Sequence, residues 1–206
     1  MTYTLRRAAH DDPGMKDRGG AGPGRAAGID ALYYIRKEVE DLLSKYGDDL
    51  EEVRGRAAGV SAAVETAGLF IERHTSVVCP ACHKVCCINR HSYHELADII
   101  CISALGERPP FYRRRAGDTE PCQFLGETGC SIRRPLRPHR CNWYFCGPLL
   151  EHIQTAPARE YRRFIADLRD INEKREGLVN AFASVLKWAG YDFAHLRRAS
   201  DEIFFT

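Results

Sequence analysis

Nine cysteines in 206 residues constrain this chain more than any other feature. Eight of them fall into three groups. Cys79, Cys82, Cys86 and Cys87 lie in the run Cys-Pro-Ala-Cys-His-Lys-Val-Cys-Cys, Cys122 is followed by Cys130, and Cys141 by Cys146. The ninth, Cys101, stands inside the apolar run Ile99-Ile100-Cys101-Ile102. A reduced, buried cysteine behaves as a small hydrophobe, and that reading fits Cys101. It does not fit the other eight, which sit among prolines, glycines and arginines rather than in an apolar stripe. Disulfides are expected where a chain is exported. Residues 1–28 hold six glycines, two prolines and eight charged side chains, with no apolar core of the kind a secretory signal needs. The expected compartment is therefore cytoplasmic, where clustered thiols are metal ligands or redox groups. A thioredoxin-like role for Cys79 and Cys82 would require a βαβ pattern around them, and none is visible.

The spacing of the first group has a geometric meaning. Two residues between ligands let the chain curl so that both thiolates face one ion, about 2.3 Å from zinc. Pro80 stiffens that turn. Adjacent Cys86 and Cys87 are expected to diverge, serving different metals or a polynuclear cluster. Metal coordination would also stabilise a segment that lacks its own apolar core.

Apolar periodicity supplies the rest of the fold. Leu32, Ile35, Val39, Leu42 and Tyr46 recur at three- and four-residue steps and predict a helix over 30–46. The stripe resumes at Leu50, Val53, Ala57, Val60, Val64, Ala67 and Ile71, with Gly47 as a stop or a bend. Gly55 and Gly59 are expected to admit a close neighbour. Ser92 and Glu95 read as a capping box for a helix over 92–106. Residues 107–148 show no period and are expected to be irregular. Helical spacing returns from Pro157 to Ala189, along Tyr161, Phe164, Leu168, Ile171, Leu178, Phe182 and Leu186. Thr155 is the expected cap, Gly190 the expected stop, and Gly177 a point of division. The expected fold class is mainly α: a helical bundle enclosing an irregular, loop-rich cysteine metal-binding insert. Residues 1–28 are expected to form a flexible tail, with too few apolar groups to offset the entropy of ordering. Residues 29–206 are expected to form one helical domain, with the cysteine region at 79–148. No apolar run is long enough to cross a membrane.

The ordered cysteines, with Cys122-Gln-Phe-Leu125, Gly129-Cys130-Ser-Ile132, the Arg-Pro steps at 134–135 and 137–138, and Arg140-Cys141 leading to Cys146, resemble the YkgJ-type cysteine-cluster family. That family is described by a CxxCxxCC motif and as zinc- or iron-chelating. The resemblance covers residues 79–148, a third of the chain. The family motif has two residues between its second and third cysteines, and this chain has three, His83, Lys84 and Val85. The resemblance implies metal binding by Cys79, Cys82, Cys86, Cys87, Cys122, Cys130, Cys141 and Cys146. Flagellin lysine methylases look similar in their cysteine motif, which implies an iron–sulfur cluster there. Methyl transfer is not carried over, because no cofactor loop is recognisable here.

Two occupants remain open, iron–sulfur or zinc. Zinc sites often use two Cys-x-x-Cys knuckles and only one is present, so the spacings lean slightly to iron–sulfur. His83 and His139 are alternative ligands. The expected function is that of a metal-binding cysteine-cluster protein, for redox chemistry, electron transfer or support of a protein modification reaction. Whether the chain is an enzyme stays open: no Ser-His-Asp order, phosphate loop or paired-carboxylate motif stands out.

Charge is nearly balanced, 30 Lys plus Arg against 28 Asp plus Glu, which excludes a global attraction to nucleic acid as the main theme. The balance is an average. Residues 30–53 carry eight acids and three bases, and residues 107–141 carry eight arginines and four acids. Arginines near thiolates offset their charge. The competing reading is a structural-zinc module presenting an Arg-rich surface to nucleic acid or an acidic protein partner, with Trp143, Tyr144 and Phe145 as stacking groups.

Overall fold

The computed structural model describes residues 23–82, 85–113 and 116–205. Seven helices carry the fold: α1 (Pro23–Lys45), α2 (Glu51–Val78), α3 (Leu96–Ala104), α4 (Arg140–Trp143), α5 (Gly147–Gln154), α6 (Ala158–Trp188) and α7 (Phe193–Phe205). A two-residue hairpin pairs β1 (Leu125–Gly126) with β2 (Gly129–Cys130). The chain is mainly α, as the periodicity predicts. No helix among the described residues is long and apolar enough to cross a membrane.

α1 begins at Pro23, inside the stretch expected to be a flexible tail. Proline suits a first helical position, where its missing N–H has no intrahelical partner to lose. The rest of the expected tail, residues 1–22, lies outside the described residues. α1 and α2 are separate helices, divided by a 3-10 turn at Gly47–Leu50. Their predicted stripes are buried: Leu32, Ile35, Val39 and Leu42 on α1, and Val53, Ala57, Val60, Val64, Ala67 and Ile71 on α2. α2 and α6 form the most extensive helix pair, and α1 packs on α3 and α7.

α6 runs unbroken through Gly177. Thr155 does not cap it. Its hydroxyl instead donates to His152 O at the end of α5, and Pro157 starts α6. At the far end Gly190 has φ +74, a left-handed conformation that closes a helix without steric cost only for glycine. The Tyr191 N–H then reaches back to Leu186 O at 2.9 Å.

α3 starts later than predicted. Ser92 turns back on Asn89, its hydroxyl donating to Asn89 O at 2.7 Å. The capping box is formed instead by Glu95 and Asp98, each side chain accepting the other's backbone N–H. One position of the α6 stripe is charged: Arg175 falls between Ile171 and Leu178 and is buried. It pairs with buried Asp98 of α3 and reaches Glu95 Oε2 at 3.3 Å.

The close approach expected at Gly55 and Gly59 occurs elsewhere. A Cβ on Gly55 would meet nothing within 4 Å, and one on Gly59 would meet only Lys174 Cε at 3.9 Å. A Cβ on Gly68 would sit 2.4 Å from Arg134 Cδ, so Gly68 is what lets Arg134 lie flat on α2. Gly55→Ala is therefore expected to stabilise the protein by about 0.5–1 kcal/mol, the helix-interior gain of alanine over glycine. Urea unfolding would check the sign, and a loss of stability would contradict the open space at this position.

Candidate metal centre

The cysteine segments are almost without apolar core. Among the described residues, no hydrophobic side chain is buried between Ile71 and Leu96; between Ala104 and Phe145 the buried side chains are those of Tyr112, two prolines (Pro109 and Pro138), Arg134, His139 and Asn142. Polar contacts hold these segments. Asn89, fully buried, donates from Nδ2 to Gly117 O and accepts the Gln123 N–H at Oδ1, both at 2.8 Å. Around it the backbone zips: Asn89 N–H to Glu120 O at 3.1 Å, Arg90 N–H to Asp118 O at 3.1 Å, and Cys122 N–H to Cys87 O at 2.8 Å. This ladder ties the first cysteine group to the second.

Each cysteine spacing acquires a local reason. Cys79 ends α2, its N–H bonded to Thr75 O, and the Cys82 N–H closes a turn on Cys79 O at 3.2 Å. The chain turns between Cys79 and Cys82 as a Cys-x-x-Cys spacing allows. The seven residues between Cys122 and Cys130 form the hairpin: Leu125 N–H bonds Cys122 O at 2.8 Å, and Leu125 sits opposite Cys130. Cys141 lies on α4, and Cys146 opens α5, whose Leu150 N–H bonds Cys146 O at 2.8 Å.

All nine cysteines are unpaired by disulfides. Cys101 is buried in the core, its thiol directed to Ala57 O, and burial pushes it up to about 12. It is an unreactive packing group. The other eight interact with one another. The Cys86 thiol is hydrogen-bonded to Cys146 and Cys87, which holds its proton firmly. The bond from Cys86 pulls Cys87 down to about 7, aided by the charges of Arg137 and Arg134. Cys79 interacts with Cys87, Cys146 and Cys82, Cys122 with Cys130 and Cys87, and Cys141 with Cys130, Cys87 and Cys122. Burial pushes Cys141 up to about 12.

As they stand, these thiols are gathered but not in ligand geometry. Among the described residues, no group of three or more His, Cys, Asp or Glu side chains is placed to hold a metal ion. Neutral thiols have no reason to close up further. Four thiolates around one zinc would lie about 3.8 Å apart, and binding would require the thiols to lose their protons. Thiolate is a donor that thiophilic metals take.

Among the described residues, His139, His91, His94 and His74 have other partners. His139 is buried, with Nε2 2.8 Å from Asn172 Oδ1, and burial lowers it to about 4. His91 stacks on Tyr144, His94 bonds the Tyr112 hydroxyl, and His74 Nδ1 meets His152 Nδ1 at 2.8 Å. His83 lies outside the described residues. Of the arginines, Arg134 is buried between α2 and α4, bonded to Glu72 Oε1 at 3.0 Å and Asn142 Oδ1 at 3.3 Å. Arg133 pairs with Glu107 at the surface. Phe145 is core, packed on Phe164, so a stack of all three aromatics 143–145 on a nucleic acid is not available.

The sequence reading missed Asn89 and Arg175. The signal for Arg175 was its place in the α6 stripe. Asn89 carried no local signal, because its partners lie 28 and 34 residues away. Neither a family model, nor a curated protein, nor a solved structure matches this chain.

Proposed function

We propose that this chain is a cysteine-ligated metal protein, with iron–sulfur as the preferred occupant and zinc as the alternative. The observation that carries the reading is the occurrence of eight cysteines, none in a disulfide, in segments that bury few apolar side chains. Chains fold by removing apolar area from water, and a segment that does not needs another source of stability. Thiolate coordination is that source, and the resemblance to the YkgJ-type family supports it.

The ligands would be Cys79, Cys82, Cys86, Cys87, Cys122, Cys130, Cys141 and Cys146. Arg134 and Arg137 offset the thiolate charge at Cys87. Half-buried Phe124, Trp143 and Tyr144 screen the region from water. A bound iron–sulfur cluster supplies one-electron transfer, and zinc supplies structural order alone. The function that follows is electron transfer, redox sensing or support of a modification reaction.

Anaerobic purification with metal and acid-labile sulfide counting tests this. The expected result is iron with sulfide, or zinc, in whole-number ratio to the chain. Cys122→Ser should lower that content and Cys101→Ser should leave it unchanged. Folded protein without metal or sulfide would overturn the proposal.

A further inference from the structure

We propose that His74 and His152 form a proton-sensitive clamp, holding α5 on α2 as a neutral pair and opening when either ring takes up a proton. The clamp is built from the helices alone and is independent of any metal.

The two rings meet Nδ1 to Nδ1 at 2.8 Å across the contact between α2 and α5. Their planes stand at 74°, with centroids 5.0 Å apart. His74 is 5% exposed, and its ring lies against Phe70, which stacks in turn on Phe164 of α6. His152 is half-buried. Among the described residues, His74 Nε2 is buried without a hydrogen-bond partner. α5 is eight residues long and buries three side chains, Leu149, Leu150 and Ile153. A single polar tie is therefore a large share of what holds it in place.

Counting protons assigns the roles. In a hydrogen bond between two imidazoles, one Nδ1 carries the proton and the other offers its lone pair. If neutral His74 accepted, its proton would sit on Nε2, as a buried N–H with no acceptor. Orphaned buried N–H groups are rarer in proteins than under-used acceptors. His74 Nδ1–H is therefore the donor, His152 Nδ1 the acceptor, and His74 Nε2 is bare. A further proton then has no good place. On His74 Nε2 it creates a buried charge with no partner at that atom. On His152 Nδ1 it takes the lone pair that the bond uses, and the bond survives only if His74 moves its own proton to Nε2.

The charged neighbours do not supply a partner. Arg73 of α2 and Glu160 of α6 pair with each other at 2.7 Å. Burial, then His152 and Arg73, lower His74 below its ordinary value, and Glu160 opposes them without reversing the shift. A ring lowered in the closed state contributes fully above the ordinary histidine value of about 6.5, and its contribution is lost as pH falls from there to the closed-state value. α5 starts directly after Cys146, and α2 ends directly before Cys79, so opening lets these two segments part.

Side-chain ¹⁵N NMR of the full chain at neutral pH reads the tautomers without a variant. The expected result is a protonated Nδ1 and a bare Nε2 on His74, and the reverse on His152. The opposite assignment would overturn the proposal, because a proton could then be added at His152 Nε2 with the bond intact. Hydrogen exchange reads the opening. Protection of the α5 amides, corrected for the intrinsic rate, should fall roughly tenfold per pH unit below about pH 6.5, the dependence for uptake of one proton. His74→Phe should abolish that dependence. His91, His94 and His139 are also lowered by burial, and the variant separates their effects from that of the pair. A dependence that persists in His74→Phe would assign the acid response to those histidines and remove the clamp. Equal protection of α5 on the two sides of pH 6.5 in the parent would remove it as well.

Discussion

Arg175→Met is expected to lower stability at neutral pH by about 3–5 kcal/mol, the cost of leaving one partner of a buried ion pair alone. Arg175 and Asp98 have side chains 9% and 4% exposed. Burial by itself pushes the Asp98 carboxyl up. The Arg175 charge, with His94, His139 and the Glu95 backbone, outweighs it and holds Asp98 below its ordinary value. Asp98 also accepts the backbone N–H groups of Glu95 at 3.0 Å and His139 at 3.2 Å. The pair thus fixes the start of α3 and the residue two before Cys141. Methionine fills the volume of the arginine stem, so the loss reports charge rather than a cavity. The pH dependence has a definite sign. In the parent, Asp98 stabilises the fold above its unfolded pKa near 3.9, and that contribution disappears as pH falls through the lower folded value. In the variant the unpaired carboxyl is raised, so its ionisation opposes folding as pH rises past 3.9. The difference between the two proteins should therefore be smaller at pH 4 than at pH 7, and smaller again below pH 4. Urea unfolding at pH 7 and pH 4 checks both statements. An equal loss at the two pH values would show that the pair acts through packing alone. Asp98→Asn combined with Arg175→Met should recover most of the loss, because no unpaired charge remains.

The helices of this protein were legible because their stripes are long and regular. Along α2 every predicted position from Val53 to Ile71 is buried, and six apolar positions over five turns leave little room for another reading. α5 and α7 escaped the reading. α5 is eight residues long and begins beside Cys146, where the cysteine pattern masks the apolar step of Leu149, Leu150 and Ile153. The capping box was placed at Ser92 because its sequence signature fits there. The structure prefers Glu95 with Asp98, since Asp98 is needed by Arg175 from α6, a partner 77 residues away. The joining of the cysteine segments is illegible for the same reason. Spacing shows that Cys122 and Cys130 are close in sequence. It does not show that Asn89 joins their hairpin to the first group through Gly117 and Gln123. Local rules read from the residues are thus reliable for helix faces, and long-range hydrogen bonds decide how the cysteine segments are joined.

On the proposed metal-binding reading, removing the metal is expected to release residues 79–82, 85–94 and 116–139 while the helical core, α3 included, persists. The reason lies in how unequally the two parts are stabilised. The helical core buries Val53, Val60, Ile71, Phe164, Leu168, Phe182 and their neighbours, each contributing about 1.5–3 kcal/mol by removal from water. From Gly106 to His139 the described residues bury one aromatic, Tyr112, whose hydroxyl lies 3.1 Å from Ser92 O. The rest of that stretch depends on hydrogen bonds such as those of Asn89, each worth about 1 kcal/mol net, against an ordering cost of about 1–2 kcal/mol per residue. Hydrogen bonds at that strength do not offset the ordering of some thirty residues. Metal–thiolate binding, about 10–16 kcal/mol for a structural zinc in small peptides, does. Hydrogen-exchange mass spectrometry on the loaded chain and on the chelator-treated, reduced chain distinguishes the cases. Amides of 79–82, 85–94 and 116–139 should exchange at least a hundredfold faster without metal, with α2 and α6 changing far less. Helix content by circular dichroism should fall only slightly, because most helical residues lie outside the released segments. Equal protection of residues 116–139 in the two forms would mean that hydrogen bonds alone order this region, and the stabilising role assigned to the thiolates would fail with it.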